Sequence, residues 1–141
     1  MTSAEKIKRL RKVCDKLWSE AVRTRDGACV LCGAKEKLNA HHWIHSRAQG
    51  NLHRWDVKNG ITLCYACHVY KVHTYASADI MERLKTEAFM RGIVTPAEYE
   101  EITNNHSLAK FGIAEYEQIK SYLTDYLERL DPNFYAVGGT K

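Results

Sequence analysis

Apolar positions along the chain follow three different patterns. Between residues 4 and 25, Ile7, Leu10, Cys14, Leu17, Trp18, Ala21 and Val22 recur at spacings of three and four. That period predicts one amphipathic helix. Thr2 stands three positions before Glu5, a capping-box signal at its start. Lys6, Lys8, Arg9, Arg11, Lys12 and Lys16 fill the polar face. From 26 to 76 no long period survives. Asp26-Gly27 and Gly50-Asn51 mark turns. Short strands are expected at Leu38–Ile44 and Ile61–Leu63, and a helix from Tyr65 to about Tyr75.

Beyond residue 77 the helical period returns. Ser77 is placed to cap a helix carrying Ile80, Met81, Leu84 and Ala88 and ending near Gly92. Thr95-Pro96-Ala97-Glu98 combines a capping threonine, a first-turn proline and a glutamate three residues on, starting a helix that runs to about Asn104. A last helix follows Gly112, carries Ile113, Tyr116, Ile119, Leu123, Leu127 and Leu130, and stops at Asp131-Pro132. The pattern predicts an α+β fold. Its parts are an N-terminal helix (1–26), a strand–loop–strand–helix core (27–76), a helical C-terminal part (77–131) and a loose tail (132–141).

Length and composition narrow the class. The chain has 141 residues, enough for one domain, with 45% hydrophobic and 27% charged residues. No apolar run reaches the roughly 18 residues of a membrane span, and no apolar segment follows the charged start MTSAEKIKRLRK. A cytoplasmic protein with no membrane association is therefore expected. Charge is uneven: residues 1–26 carry 8 basic and 4 acidic side chains, 27–76 carry 6 and 2, and 77–141 carry 7 and 11. The front of the chain is thus a positive field of the kind that attracts a polyanion, or simply a solvated helix face.

The candidate chemistry lies in the middle block. Cys29-x-x-Cys32 and Cys64-x-x-Cys67 are two knuckles, the inner cysteines 32 positions apart. In a reducing compartment two such pairs read as a closed four-thiolate zinc site, structural rather than catalytic. A redox dithiol is the weaker reading, and Cys14, on the apolar stripe, is expected to be a buried thiol. Between the knuckles stand His41-His42-Trp43 and Asn59-Gly60-Ile61-Thr62-Leu63, and His68 directly follows the second knuckle. His42 to Asn59 is 17 positions and Asn59 to His68 is 9.

This order of histidine, asparagine and histidine framed by two knuckles resembles the HNH endonuclease family, whose fold is the ββα-metal finger. The resemblance spans about residues 27–76, and the Arg47 and Arg54-Trp55-Asp56 context is similar to forms common in phage genomes. It implies metal-dependent hydrolysis of DNA phosphodiesters, in a bacterial or phage-infected cell, leaving a 3′-hydroxyl and a 5′-phosphate. It further implies that His42 is the general base, that Asn59 braces the loop and orients that base, and that His41 and His68 bind a catalytic divalent cation. Many family members have aspartate where this chain has His41.

Elementary chemistry agrees with that assignment. Neighbouring residues on a strand point to opposite faces, so His41 and His42 should not share a task. An imidazole off the metal can take a proton from water near neutral pH. Two imidazoles make a softer site than carboxylates, so manganese, nickel, cobalt or zinc are expected to compete well with magnesium. His73, five residues after His68, is a weaker third ligand, since five residues of α-helix turn it about 140° away. Arg47, Arg54, Lys58 and Lys71 surround the site and suit phosphate contacts. His45 and His53 are expected at the surface or on DNA, His106 at a helix end, and Trp43 and Trp55 in packing. Two other readings stay open: a non-catalytic zinc-finger DNA-binding module, and an adaptor whose acidic C-terminal helices dock a protein partner.

Overall fold

A computed structural model of the chain describes residues 1–74 and 78–134. It is an α+β protein built on one small hairpin. Helix α1 (Ser3–Asp26) comes first, its start capped by the Thr2 hydroxyl, which accepts from the Glu5 N–H at 3.1 Å. It ends where Gly27 turns left-handed at φ 72°, a conformation that suits a residue without Cβ. Strands β1 (Leu38–His42) and β2 (Gly60–Cys64) pair antiparallel, with His42 opposite Gly60, His41 opposite Ile61 and Leu38 opposite Cys64. The long connection 43–59 between them holds two short 3₁₀ turns, Arg47–Gln49 and Val57–Asn59.

The expected helix after β2 is a π-helical segment, Cys67–Thr74. Its backbone bonds run from i to i+5 rather than i+4, so each turn takes up one more residue. The remaining helices are α2 (Ala78–Met90), α3 (Pro96–Asn104) and α4 (Ile113–Leu130). At the head of α3 both halves of the expected capping box form: Glu98 N–H donates to the Thr95 hydroxyl at 3.1 Å, and Thr95 N–H to the Glu98 carboxylate at 2.9 Å. The expected cap at Ser77, the end of the Tyr65–Tyr75 helix and the tail from 135 onward lie outside the described residues.

The hairpin has a layer on each face. Ile61 and Leu63 join Val30, Leu31, Trp43, Leu84, Ala88, Val94 and Ile102 in one core, with the cysteines at its edge. On the other face α1 and α4 build a second core from Cys14, Leu17, Trp18, Val22, Trp55, Tyr116, Leu123 and Leu127. The alternation of β2 side chains separates the two. Gly60 permits the close approach of α1: a Cβ there would lie 2.4 Å from Val22 and 2.7 Å from the Trp18 ring. The end of α1 also grips β2. Arg25 donates to the carbonyls of Val57 and Gly60, each at 2.7 Å, and Asp26 accepts from the Thr62 N–H at 2.9 Å. Because α4 spends Tyr116, Leu123 and Leu127 on α1, its apolar stripe is used inside the molecule. No helix among the described residues is long and apolar enough to cross a membrane.

Candidate functional site

Four cysteines converge from the two knuckles. The sulfurs of Cys29, Cys32, Cys64 and Cys67 lie within 4.8 Å of one another, and Cys32 and Cys64 are 3.6 Å apart. A tetrahedral site with zinc–sulfur bonds of ~2.3 Å places its sulfurs about 3.8 Å apart. The spacing therefore fits a structural metal ion. The first knuckle closes through Gly33, whose φ of 80° lets its N–H reach the Cys29 carbonyl at 2.9 Å. In the second, the Cys67 N–H points to the Cys64 sulfur at 3.4 Å. Burial works against ionising Cys29, but backbone hydrogen bonds at Cys64, Cys32 and Leu31 outweigh it and bring the thiol down to about 7. Burial and the crowding of neighbouring thiols push Cys67 well up instead. Four adjacent thiols that cannot all shed protons alone are suited to a dication, whose charge takes the protons' place. The fifth cysteine, Cys14, is buried, and burial together with the Asp15 charge pushes it up to about 11.

The paired histidines of β1 separate as the strand geometry demands. His41 faces the ring of His68 on the π-helical segment, with centroids 5.0 Å apart at 64°. His42 turns to the other face and stacks on Trp18 of α1, 3.9 Å apart and 6° from parallel. Its Nε2 lies 2.8 Å from the Arg54 carbonyl. A carbonyl only accepts, so Nε2 carries the proton and the neutral ring keeps its lone pair on Nδ1. Burial lowers the His42 pKa below the usual histidine value; the bond to the Arg54 carbonyl opposes this, and the Arg47 and Arg54 charges add to it.

Asn59 is buried and fully engaged. Its Oδ1 accepts from the Ile44 and His45 N–H groups at 3.0 and 2.9 Å, and its Nδ2 donates to the His45 and His53 carbonyls at 2.9 and 3.1 Å. It ties the 43–59 connection together, and its side-chain bonds go to Ile44, His45 and His53 rather than to His42. Asn51 adds an outer tie by exchanging two hydrogen bonds with the backbone of Ala109.

Several positions differ from expectation. Arg54 does not face outward: its Nε and Nη2 donate to Asp15 at 3.1 and 2.7 Å, and its guanidinium sits over the Trp55 ring at 4.9 Å. Lys58 is paired with Glu98, which raises the lysine and holds Glu98 down at about 2. Arg47 and Lys71 remain exposed. His45 is buried rather than at the surface, its Nε2 on the Ile102 carbonyl at 2.6 Å. His53 is half-buried beside the Asn105 carbonyl. Both rings meet carbonyls at the C-terminal end of α3, where the Ile102 carbonyl also accepts from the Asn105 N–H at 3.3 Å. Trp43 and Trp55 are buried, as expected for packing. The backbone at position 73 belongs to the π-helical segment, where it follows His68 by one i to i+5 step; the His73 side chain lies outside the described residues.

Sequence reasoning missed Asp15, Trp18 and Arg25 as parts of this region. They sit on α1, 24 to 40 positions from their partners, and no local spacing announces them.

The fold and site define an α+β protein with a four-cysteine cluster suited to a structural metal and a histidine pair divided across one strand. Comparisons with protein families, with curated proteins and with solved structures find no match to this chain.

Proposed function

We propose that the chain is a metal-dependent DNA endonuclease of the HNH type, with residues 27–74 forming a zinc-stapled ββα-metal finger. The observation that carries this reading is the division of β1: His42 held by a carbonyl so that Nδ1 is its basic atom, and His41 facing His68. The order strand, long loop, strand, helical segment supports the finger assignment. Two imidazoles bound to one ion at ~2.1 Å keep their ring centroids roughly 5 Å apart, which matches the 5.0 Å between His41 and His68.

In this mechanism His42 Nδ1 accepts a proton from water, and the resulting hydroxide attacks phosphorus. The bond from phosphorus to the 3′ oxygen breaks, leaving a 3′-hydroxyl once that oxygen is protonated, and a 5′-phosphate. A divalent cation held by His41 and His68 would polarise the phosphate and stabilise the departing oxygen. Asn59 keeps the 43–59 connection closed, so the Arg54 carbonyl stays in place to orient His42. Exposed Arg47 and Lys71, with Lys8, Lys12 and Lys16 of α1, offer the phosphate contacts. Arg54 serves inside the site instead.

Plasmid cleavage across a titration of manganese, nickel, cobalt and magnesium tests this reading. His42→Ala should slow cleavage about 100- to 10,000-fold without rescue by added metal. His41→Ala should weaken binding of the catalytic metal, so that cleavage needs more of it and recovers part of the rate at high metal. Equal cleavage by the wild type and both variants would refute it, as would rescue of His42→Ala alone. DNA retention without cleavage under any metal would favour the non-catalytic DNA-binding module.

A further inference from the structure

We infer that Asp15 and Trp18 of α1 are positioning residues of the nuclease site, fixing the direction of the His42 ring from outside the finger. This rests on the reading of His42 as the base. An imidazole on a strand has two free torsions. A stacking plane and one in-plane hydrogen bond together remove both. Trp18 supplies the plane, 3.9 Å from His42 and 6° from parallel. The Arg54 carbonyl supplies the in-plane contact at 2.8 Å.

Each restraint is anchored by α1. The Trp18 indole is held by its Nε1, which donates to the Asp56 carbonyl at 2.8 Å, and it occupies the space that Gly60 leaves without a Cβ. Arg54 is held by the two-point bond of its guanidinium to Asp15. The neighbouring Trp55 donates its Nε1 to Asp15 Oδ1 at 2.9 Å, so one carboxylate grips two consecutive residues of the segment carrying that carbonyl. Asp15 and Trp18 are three positions apart and therefore on one face of the helix. Two-point recognition of a planar guanidinium fixes direction as well as distance, which a single lysine contact would not do. A helix that only covered a core would need Leu17 and Val22, but not a half-exposed aspartate aimed at the loop behind the base.

The test uses the full-length protein at one fixed pH. Nitrogen chemical shifts of the His42 imidazole report its tautomer, and steady-state cleavage separates kcat from KM for DNA. Zinc content and the far-ultraviolet spectrum check folding. In the wild type His42 should be the Nε2–H tautomer. Asp15→Ala and Trp18→Leu should mix the tautomers and lower kcat about 10- to 100-fold, the cost of a misaimed catalytic group, with KM nearly unchanged. Trp18→Phe should recover most of the Trp18→Leu loss, because a ring again stacks on His42. If Trp18→Leu loses zinc or fold, Asp15→Ala decides alone. An unchanged tautomer in folded Asp15→Ala overturns the inference, as does an equal loss in Trp18→Phe and Trp18→Leu. Absence of cleavage by the wild type with every metal would refute the nuclease reading; the tautomer comparison would still decide whether α1 aims His42.

Discussion

Replacing Asn59 by alanine removes one amide and four hydrogen bonds. Its oxygen serves two backbone N–H groups and its nitrogen two carbonyls, over 2.9 to 3.1 Å, and the residue is 1% exposed. A net hydrogen bond contributes about 0.5–1.5 kcal/mol, and an orphaned buried group costs about 1–3. Some of the freed groups will recruit water, so the loss should be about 3–5 kcal/mol rather than the full sum. Against a total stability of roughly 5–15 kcal/mol this is severe. For a chain of this size it lowers Tm by about 10–15 °C. Urea unfolding should show the shift, followed by the fluorescence of Trp43, whose Nε1 donates to the Lys58 carbonyl at 3.0 Å within the braced connection. Asn59→Asp keeps the acceptor but aims a second oxygen at the His45 and His53 carbonyls. It should be at least as damaging at neutral pH and partly recover in acid, where the protonated carboxyl can donate again. A loss below about 1 kcal/mol for Asn59→Ala would refute the reasoning and transfer the brace to the outer ties at Asn51 and His45.

Gly60→Ala should destabilise by about 2–3 kcal/mol through overpacking, because its Cβ meets Val22 at 2.4 Å and Trp18 at 2.7 Å; unchanged stability in a thermal melt would mean that α1 shifts at little cost. One zinc per chain should co-purify, and Cys67→Ser or a strong chelator should unfold the region around the four-cysteine cluster, read as lost zinc and lost helical signal; a folded, zinc-free protein would refute this. Glu98 has a folded pKa depressed to about 2 against an ordinary 4.5. Its contribution is therefore present above 4.5 and lost as pH falls from there toward about 2, so Glu98→Gln should flatten the acid limb of stability in that window. Charge reversal at Arg47 should weaken DNA binding more than reversal at Lys120, and affinity should fall steeply with salt; equal effects of the two would remove Arg47 from the DNA surface.

Local signals in the sequence were sufficient for the helices, the hairpin and the cysteine cluster. Capping at Thr2 and Thr95 is a matter of residues three apart, and apolar period is read within one element. The two knuckles carry their chemistry in their own spacing, and the strand alternation that parts His41 from His42 needs only adjacency. The width of the π-helical turn was not legible, since the residues of that segment are equally compatible with an α-helix. Nor was the use of charge. Arg54 and Lys58 look like phosphate ligands in the sequence, but Asp15 lies 39 positions before the first and Glu98 lies 40 after the second. His45 looks exposed until the end of α3 brings the Ile102 carbonyl to it. Pairing of this kind is decided by which surfaces two cores bring together, and that depends on packing across the whole chain. Local residue spacing carries most of the element order and the donor atoms. That α1 lies against the hairpin, where the absence of a Cβ at Gly60 lets Trp18 reach the ring of His42, is a product of packing across the whole chain.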